Sequence, residues 1–354
     1  MTDFFNKVKL QFQQNLPFVI YKKPNNQSIK GLFQNDEKLN LSDNLSETGF
    51  IFSSFDGNKK ILIPKNNSLE ISFDFIPETV PSVSKLETKI NETAKNNFEF
   101  IVSKAIQEIE KGTFSKVVLS RVEIIDLSNF DLSSLFVKLA STYPSAFTYC
   151  WFHPEIGLWM GATPEILIKV NGNKFQTVAL AGTQLYNGSE EVLWLKKEKD
   201  EQQLVTDYIL DKFSQSVSEV QISVPKTIKA GNLLHLKTEI QGIVNENTNL
   251  NELVLLLHPT PAVCGLPKVE SVDFIKENED YDREFYAGYL GEINYNASSE
   301  TDLFVNLRCM QIQRNNEVYN THLYIGCGIT KDSIPEMEWF ETVNKAMTLK
   351  NVLL

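Results

Sequence analysis

The sequence predicts an α+β protein built on large, mainly antiparallel sheets. Two observations carry this. Short apolar runs with strand character follow one another directly, punctuated by Asn, Gly and Pro. Helical patterns of 3.6-residue period separate only some of them. Strands joined without a crossover helix pair antiparallel, whereas regular strand-helix alternation would have meant a parallel sheet.

Residues 1–90 read as a strand-rich region belonging to the same fold as the rest. After an amphipathic start come "LPFVIYKK", "GFIFSSFDG" and "KKILIPK", three short strands, and then "PETVPSVSK", a connector. From Glu87 to Lys111 a helical pattern places Phe98, Ile101, Ala105 and Ile109 on one side and closes on Gly112. Strands follow at about 115–124, 147–152 and 157–162, and then a hairpin in which "EILIKV" and "KFQTVAL" flank Asn171-Gly172-Asn173. A long helix covers about 190–213. Further strands lie at about 219–224, 231–244, 285–295, 302–313 and 317–327, with short helices between some of them, and a terminal helix begins near Pro335.

The 354 residues, 42% of them apolar and 22% charged, suit a folded chain of two domains or of one large sheet protein. A net charge of −11 with no Lys/Arg cluster argues against nucleic acid or an anionic membrane as partner. No apolar run approaches the roughly 20 residues of a membrane span, and "MTDFFNKVKLQFQQ" does not look like a secretory signal, so a cytoplasmic protein is expected. Cys150, Cys264, Cys309 and Cys327 lack C-x-x-C spacing and read as buried thiols.

Several polar residues stand where the pattern calls for apolar ones. In "GTFSKVVLSR" Lys116, Val118 and Ser120 share one face of a strand, and Val117, Leu119 and Arg121 the other, so one cation is difficult to hydrate if either face is core. An edge strand whose charged heads reach water would also accommodate them. Glu165, in "GATPEIL", opens an apolar strand; partial desolvation would keep it protonated as a general acid requires, although a solvated strand end explains it equally. Glu198 and Glu201 are three apart on one helix, and Glu338 and Glu341 on another. Each pair alone is usually a solvated face. If the two helices meet, four facing carboxylates would need a divalent cation, and all-oxygen ligation suits magnesium. "LAGT" ends a strand in small residues, Gly326 and Gly328 flank a cysteine, Arg308 needs an anionic partner, and His235 is an ordinary candidate for a core histidine.

Taken in order, "FSKVVLSR", "GATPEIL", "ALAGT", "KEKDEQQLV", "HPTPAVCGLP", "REFYAGYLGEI", "LRC", "GCGIT" and "PEMEWFETVNK" resemble the chorismate-utilising enzyme family, over about Phe114 to Lys350. The resemblance implies a sandwich of large antiparallel sheets with helices outside, and makes 91–354 the chorismate-binding catalytic region. It further implies a magnesium-dependent isomerisation of chorismate to isochorismate, for menaquinone or siderophore synthesis. Lys116, as in the isochorismate- and salicylate-forming branches, would activate water, and Glu165 would protonate the departing hydroxyl. Glu201 and Glu341 would ligate magnesium, with Glu198 and Glu338 around its waters. Gly182, Thr183, His235, Arg308, Gly326 and Lys345 would hold the substrate. Ala181 replaces the lysine of the aminodeoxychorismate branch, so neither a covalent adduct nor a glutaminase subunit is implied, and a monomer is expected. The family's Glu-His pair is Glu201-Gln202 here. Salicylate synthase, which eliminates pyruvate from isochorismate, is the alternative.

Overall fold

The computed structural model describes residues 2–79, 91–127, 129–230, 233–296, 299–315 and 318–353. Among these residues seven α-helices flank two antiparallel sheets of nine and ten strands. The first sheet runs, in spatial order, Gly265–Leu266, Lys116–Leu127, Val318–Ile329, Cys309–Asn315, Gly157–Thr163, Phe147–His153, Phe18–Lys22, Ser28–Gln34 and Ser68–Asp74. The second runs Val217–Ile222, Leu233–Val244, Lys174–Leu185, Ile166–Asn171, Thr301–Val305, Tyr289–Ile293, Gly49–Ser53, Lys60–Pro64 and Asn40–Leu41, with Lys226–Ala230 also paired to Leu233–Val244. Segments from before residue 80 thus enter both sheets.

Strand alternation explains the unbroken apolar runs. In Phe18–Lys22, Val19 and Tyr21 face the space between the sheets, while Phe18 and Ile20 join a second core under the first and third helices, Thr2–Gln13 and Leu132–Thr142, and the C-terminal end of the last. Both faces are covered, so neither is polar. Between the sheets Phe147 stacks on Phe304 at 4.2 Å and Phe52 on Phe285 at 4.5 Å, each pair drawn from opposite sheets or their connections. Such offset pairs contribute about 0.5–1.5 kcal/mol beyond area burial.

Several boundaries differ from the sequence expectation. The helix expected from Glu87 is described from Glu92, capped by Asn91, whose side chain accepts from the Ala94 N–H; Glu87–Ile90, like Val80–Lys85 of the expected connector, lie outside the described residues. The helix expected at 190 starts at Lys196. Helix Leu132–Thr142, capped by Asp131, was not foreseen. The run 302–313 is two strands, one in each sheet. All four cysteines are free and buried, and no helix among the described residues is long and apolar enough to cross a membrane.

Candidate active site

Two of the links that carry the chain from one sheet to the other lie side by side. Gly157–Thr163 belongs to the first sheet and Ile166–Asn171 to the second, so Pro164 and Glu165 form one crossing. Thr301–Val305 and Cys309–Asn315 are joined in the same way by residues 306–308. Backbone and side-chain bonds fasten the two crossings together: Thr163 Oγ1 donates to Val305 O at 2.7 Å, Val305 N to Glu165 O at 3.0 Å, and Ala162 N to Arg308 O at 3.1 Å. Arg308 therefore lies in a link, with φ of +48°, and not inside a strand as its apolar surroundings suggested.

Both crossings open on one cavity. Of the residues singled out in the sequence, Lys116, Glu165, Gly182, Thr183, Glu198, Glu201, His235, Arg308, Gly326, Glu341 and Lys345 line it, and Glu338 does not. Lys116 is 1% exposed, which excludes the solvated edge reading: its ammonium donates to Glu201 Oε1 at 2.7 Å. Gly328, opposite Val118 on the next strand, makes this contact sterically feasible, because a Cβ there would sit 2.8 Å from Glu201 Oε1 and 3.1 Å from Lys116 Cε.

Burial raises the Glu165 carboxyl to about 7, even though Arg308, Lys116 and Lys345 favour its anion. It is therefore largely protonated up to neutrality. Burial also holds His235 down at about 3, helped by the charges of Arg308 and Lys345. The ring is neutral, and since Nδ1 lies 2.9 Å from the Gly182 carbonyl, that nitrogen is assigned the proton. Among the described residues Nε2 is left as a buried acceptor without a partner. The Arg308 side chain has no hydrogen bond or ion pair among the described residues, whereas Lys345 donates to Gly326 O at 3.0 Å and pairs with Glu341 at 2.7 Å.

Three of the four helix glutamates have a lysine counter-ion. Lys116 meets Glu201, Lys345 meets Glu341, and Lys197 meets Glu338 at 3.0 Å. Burial of Glu201 opposes its ionisation, but Lys116, Lys345 and Lys197 outweigh that and lower its carboxyl; burial and then the Glu341 charge raise Glu338. Among the described residues no three acidic, His or Cys side chains converge into a ready metal cage. The donor chemistry nevertheless fits a hard cation: Glu198, Glu201 and Glu341 bring only oxygens to the cavity lining, and Glu198 Oε2 is buried without a partner among the described residues.

Residues 61–354 match the model of the chorismate-binding enzyme family. The chain belongs to that family. Isochorismate synthase EntC of Escherichia coli K12 is 31% identical over 268 residues, covering 73% of this chain and 67% of that protein. The fold is similar to that of a putative 2,3-dihydroxybenzoate-specific isochorismate synthase, DhbC, from Bacillus anthracis, with TM-score 0.79 and 22% identity over 98% of this chain and 99% of the other. It is also similar to anthranilate synthase component I from Streptococcus pneumoniae, with TM-score 0.69 and 20% identity over 95% of this chain and 90% of the other.

Within this chorismate-binding fold, sequence reasoning passed over Lys197 and Tyr286, both of which line the cavity. Lys197 stands in the first turn of a charged helix, where a lysine ordinarily reads as solvated. Gln202, in place of the family's histidine, faces away from Glu201's partner: its amide donates to Ala179 O at 2.9 Å and Thr238 Oγ1 at 3.0 Å, tying the helix to the second sheet.

Proposed function

We propose that the protein is an isochorismate synthase, converting chorismate to isochorismate. The observation that carries this reading is the pairing, in one closed-in cavity, of a buried lysine and a carboxyl that stays protonated near neutrality. The residues allow a balanced reaction. Lys116 Nζ takes a proton from water as the water oxygen bonds to C2, the ring double bonds shift, and the C4–O bond breaks as Glu165 gives its proton to the leaving hydroxyl. One water enters, one leaves, and substrate and product are isomers. A base needs its lone pair free, so Glu201 must release Lys116 before the proton can move. Arg308, whose side chain has no hydrogen bond or ion pair among the described residues, is the natural grip for a substrate carboxylate, and His235 Nε2 offers an acceptor to a substrate hydroxyl.

Glu201 and Glu341, with Glu198 and Glu338 nearby, would hold magnesium, which when bound supplies positive charge for the ring carboxylate. Water needs no amide donor, so no glutaminase subunit is required, and a chain of this kind would work in the cytoplasm. The names of relatives support the reading, among them a vibriobactin-specific isochorismate synthase of Vibrio cholerae; the product would serve siderophore or menaquinone synthesis.

The test is purified protein with chorismate and magnesium in oxygen-18 water. One heavy oxygen at C2 of a non-aromatic isomer of chorismate is the expected result. Unlabelled or aminated product overturns it, and stoichiometric pyruvate with salicylate would mean salicylate synthase.

A further inference from the structure

Lys116 lies on a strand whose outer neighbour almost vanishes. Gly265–Leu266 pairs with Val117 and Lys116, Leu266 O also receives Ser115 N at 2.7 Å, and Cys264 O adds one bond from Val118 N at 2.9 Å. Beyond that point side chains take the place of a neighbouring strand. Arg283 NH2 donates to Val118 O at 2.7 Å, and Ser120 N donates to Glu279 Oε1, also at 2.7 Å. Two parallel bonds join the pair itself, Nε to Oε2 at 2.7 Å and NH2 to Oε1 at 2.6 Å, while NH1 reaches Val263 O at 2.9 Å. Both side chains are at most 3% exposed. The guanidinium lies 4.6 Å from the Phe55 ring centroid.

We propose that the Glu279–Arg283 pair is a positioning element for Lys116. A single fork fixes the strand two residues beyond the lysine and, through Val263, the loop whose Ala262 and Val263 wall the cavity. The loop and the Lys116 backbone are in contact: a Cβ on Gly265, whose φ is +135°, would fall 2.3 Å from Lys116 O. Displacing one therefore displaces the other. Arginine is needed because its planar group serves a carboxylate bidentately and two carbonyls at once; an ammonium is a single point with three donors. Neither residue lines the cavity, so the pair acts through Lys116 and the wall.

This rests on the reading of Lys116 as the base. The experiment is Arg283→Lys, assayed for isochorismate formation from chorismate well below its melting temperature. The expected result is a kcat lower by about 100-fold, the scale of a misplacement near 1 Å, with KM within about threefold because Arg308 and Lys345 are untouched. In Arg283→Ala, millimolar guanidinium should restore part of kcat. If Arg283→Lys fails to fold, Glu279→Gln is measured in its place and the same split decides. A kcat equal to wild type in the folded variant overturns the proposal, as does a loss that only tracks the unfolded fraction. A wild type inert toward chorismate sinks the functional reading and the positioning role together.

Discussion

Glu165 shows how one residue's surroundings set both reactivity and stability. Its carboxyl lies at about 7 rather than near 4.5, chiefly through burial. As the proposed proton donor it would lose effectiveness as pH rises through about 7, so kcat/KM should show a basic limb there, which Glu165→Gln removes along with at least about a hundredfold of turnover. Stability follows the same sign. A group held more protonated in the folded state contributes stability that is intact at low pH and lost as pH rises from about 4.5 through 7. Glu165→Gln lacks that loss, and its unfolding free energy should gain on wild type between pH 5 and 8 by up to about 3 kcal/mol. An unchanged difference in chemical denaturation across that range would contradict the assignment. Lys116→Ala should likewise cost turnover about a hundredfold or more, and near-normal rates would remove it from the chemistry. These two residues were legible in the sequence because charge interrupted an apolar pattern. Arg308 was legible as a misfit but not as a corner residue, since Asn306-Leu307-Arg308 breaks the run 302–313 with neither Gly nor Pro. Arg283, four residues after Glu279, looks in sequence like any helix-surface ion pair, and burial alone distinguishes it.

At the level of elements, the helix Lys196–Phe213 brings both of its glutamates to the cavity, and the terminal helix Pro335–Leu353 brings Glu341 and not Glu338. The spacing in sequence gave the pairs, whereas their lysine counter-ions come from a strand, from the first helix's own first turn and from one helical turn further along. Those three ammonium groups neutralise carboxylates that would otherwise repel. Exhaustive chelation should therefore abolish turnover while shifting the melting temperature by less than about 2 °C, a shift worth about 1.5 kcal/mol at this size. Full turnover after chelation would eliminate the magnesium role, and a large fall in melting temperature would mean that the lysines do not suffice. Gly328→Ala tests the contact between elements: the added methyl intrudes on Lys116 and Glu201, so kcat should drop at least about tenfold while the fold is kept.

Across the whole molecule, the class of the fold was legible because strands and helices have different periods, but the order of strands was not. Nothing local tells Phe18–Lys22 to pair with Phe147–His153 or sends Gly49–Ser53 to the other sheet; that choice depends on which apolar faces fit together between sheets. A polar link outside the active cavity also joins the sheets. Glu292 of the second sheet, 3% exposed, receives Tyr21 at 2.5 Å and Lys30 at 2.9 Å from the first, with Lys23 at 2.5 Å. Glu292→Gln takes one carboxylate from two lysines, which keep Asp302 and Glu70, and should cost about 1–3 kcal/mol in denaturant unfolding, with KM and kcat unchanged at temperatures where the variant is folded. An altered KM would show that the link reaches the substrate.

The paired crossings between the sheets have a historical consequence. They hold Glu165, the proposed leaving-group acid, and Arg308, the proposed grip for a substrate carboxylate, and they are fastened to each other by backbone and side-chain bonds. Lys116 and Ala181 stand apart from them, within strands of different sheets. On the function proposed above, a lineage can thus replace the residue that selects the incoming nucleophile by single substitutions while the seam is inherited intact, and proteins with different products can descend from one scaffold without refolding it.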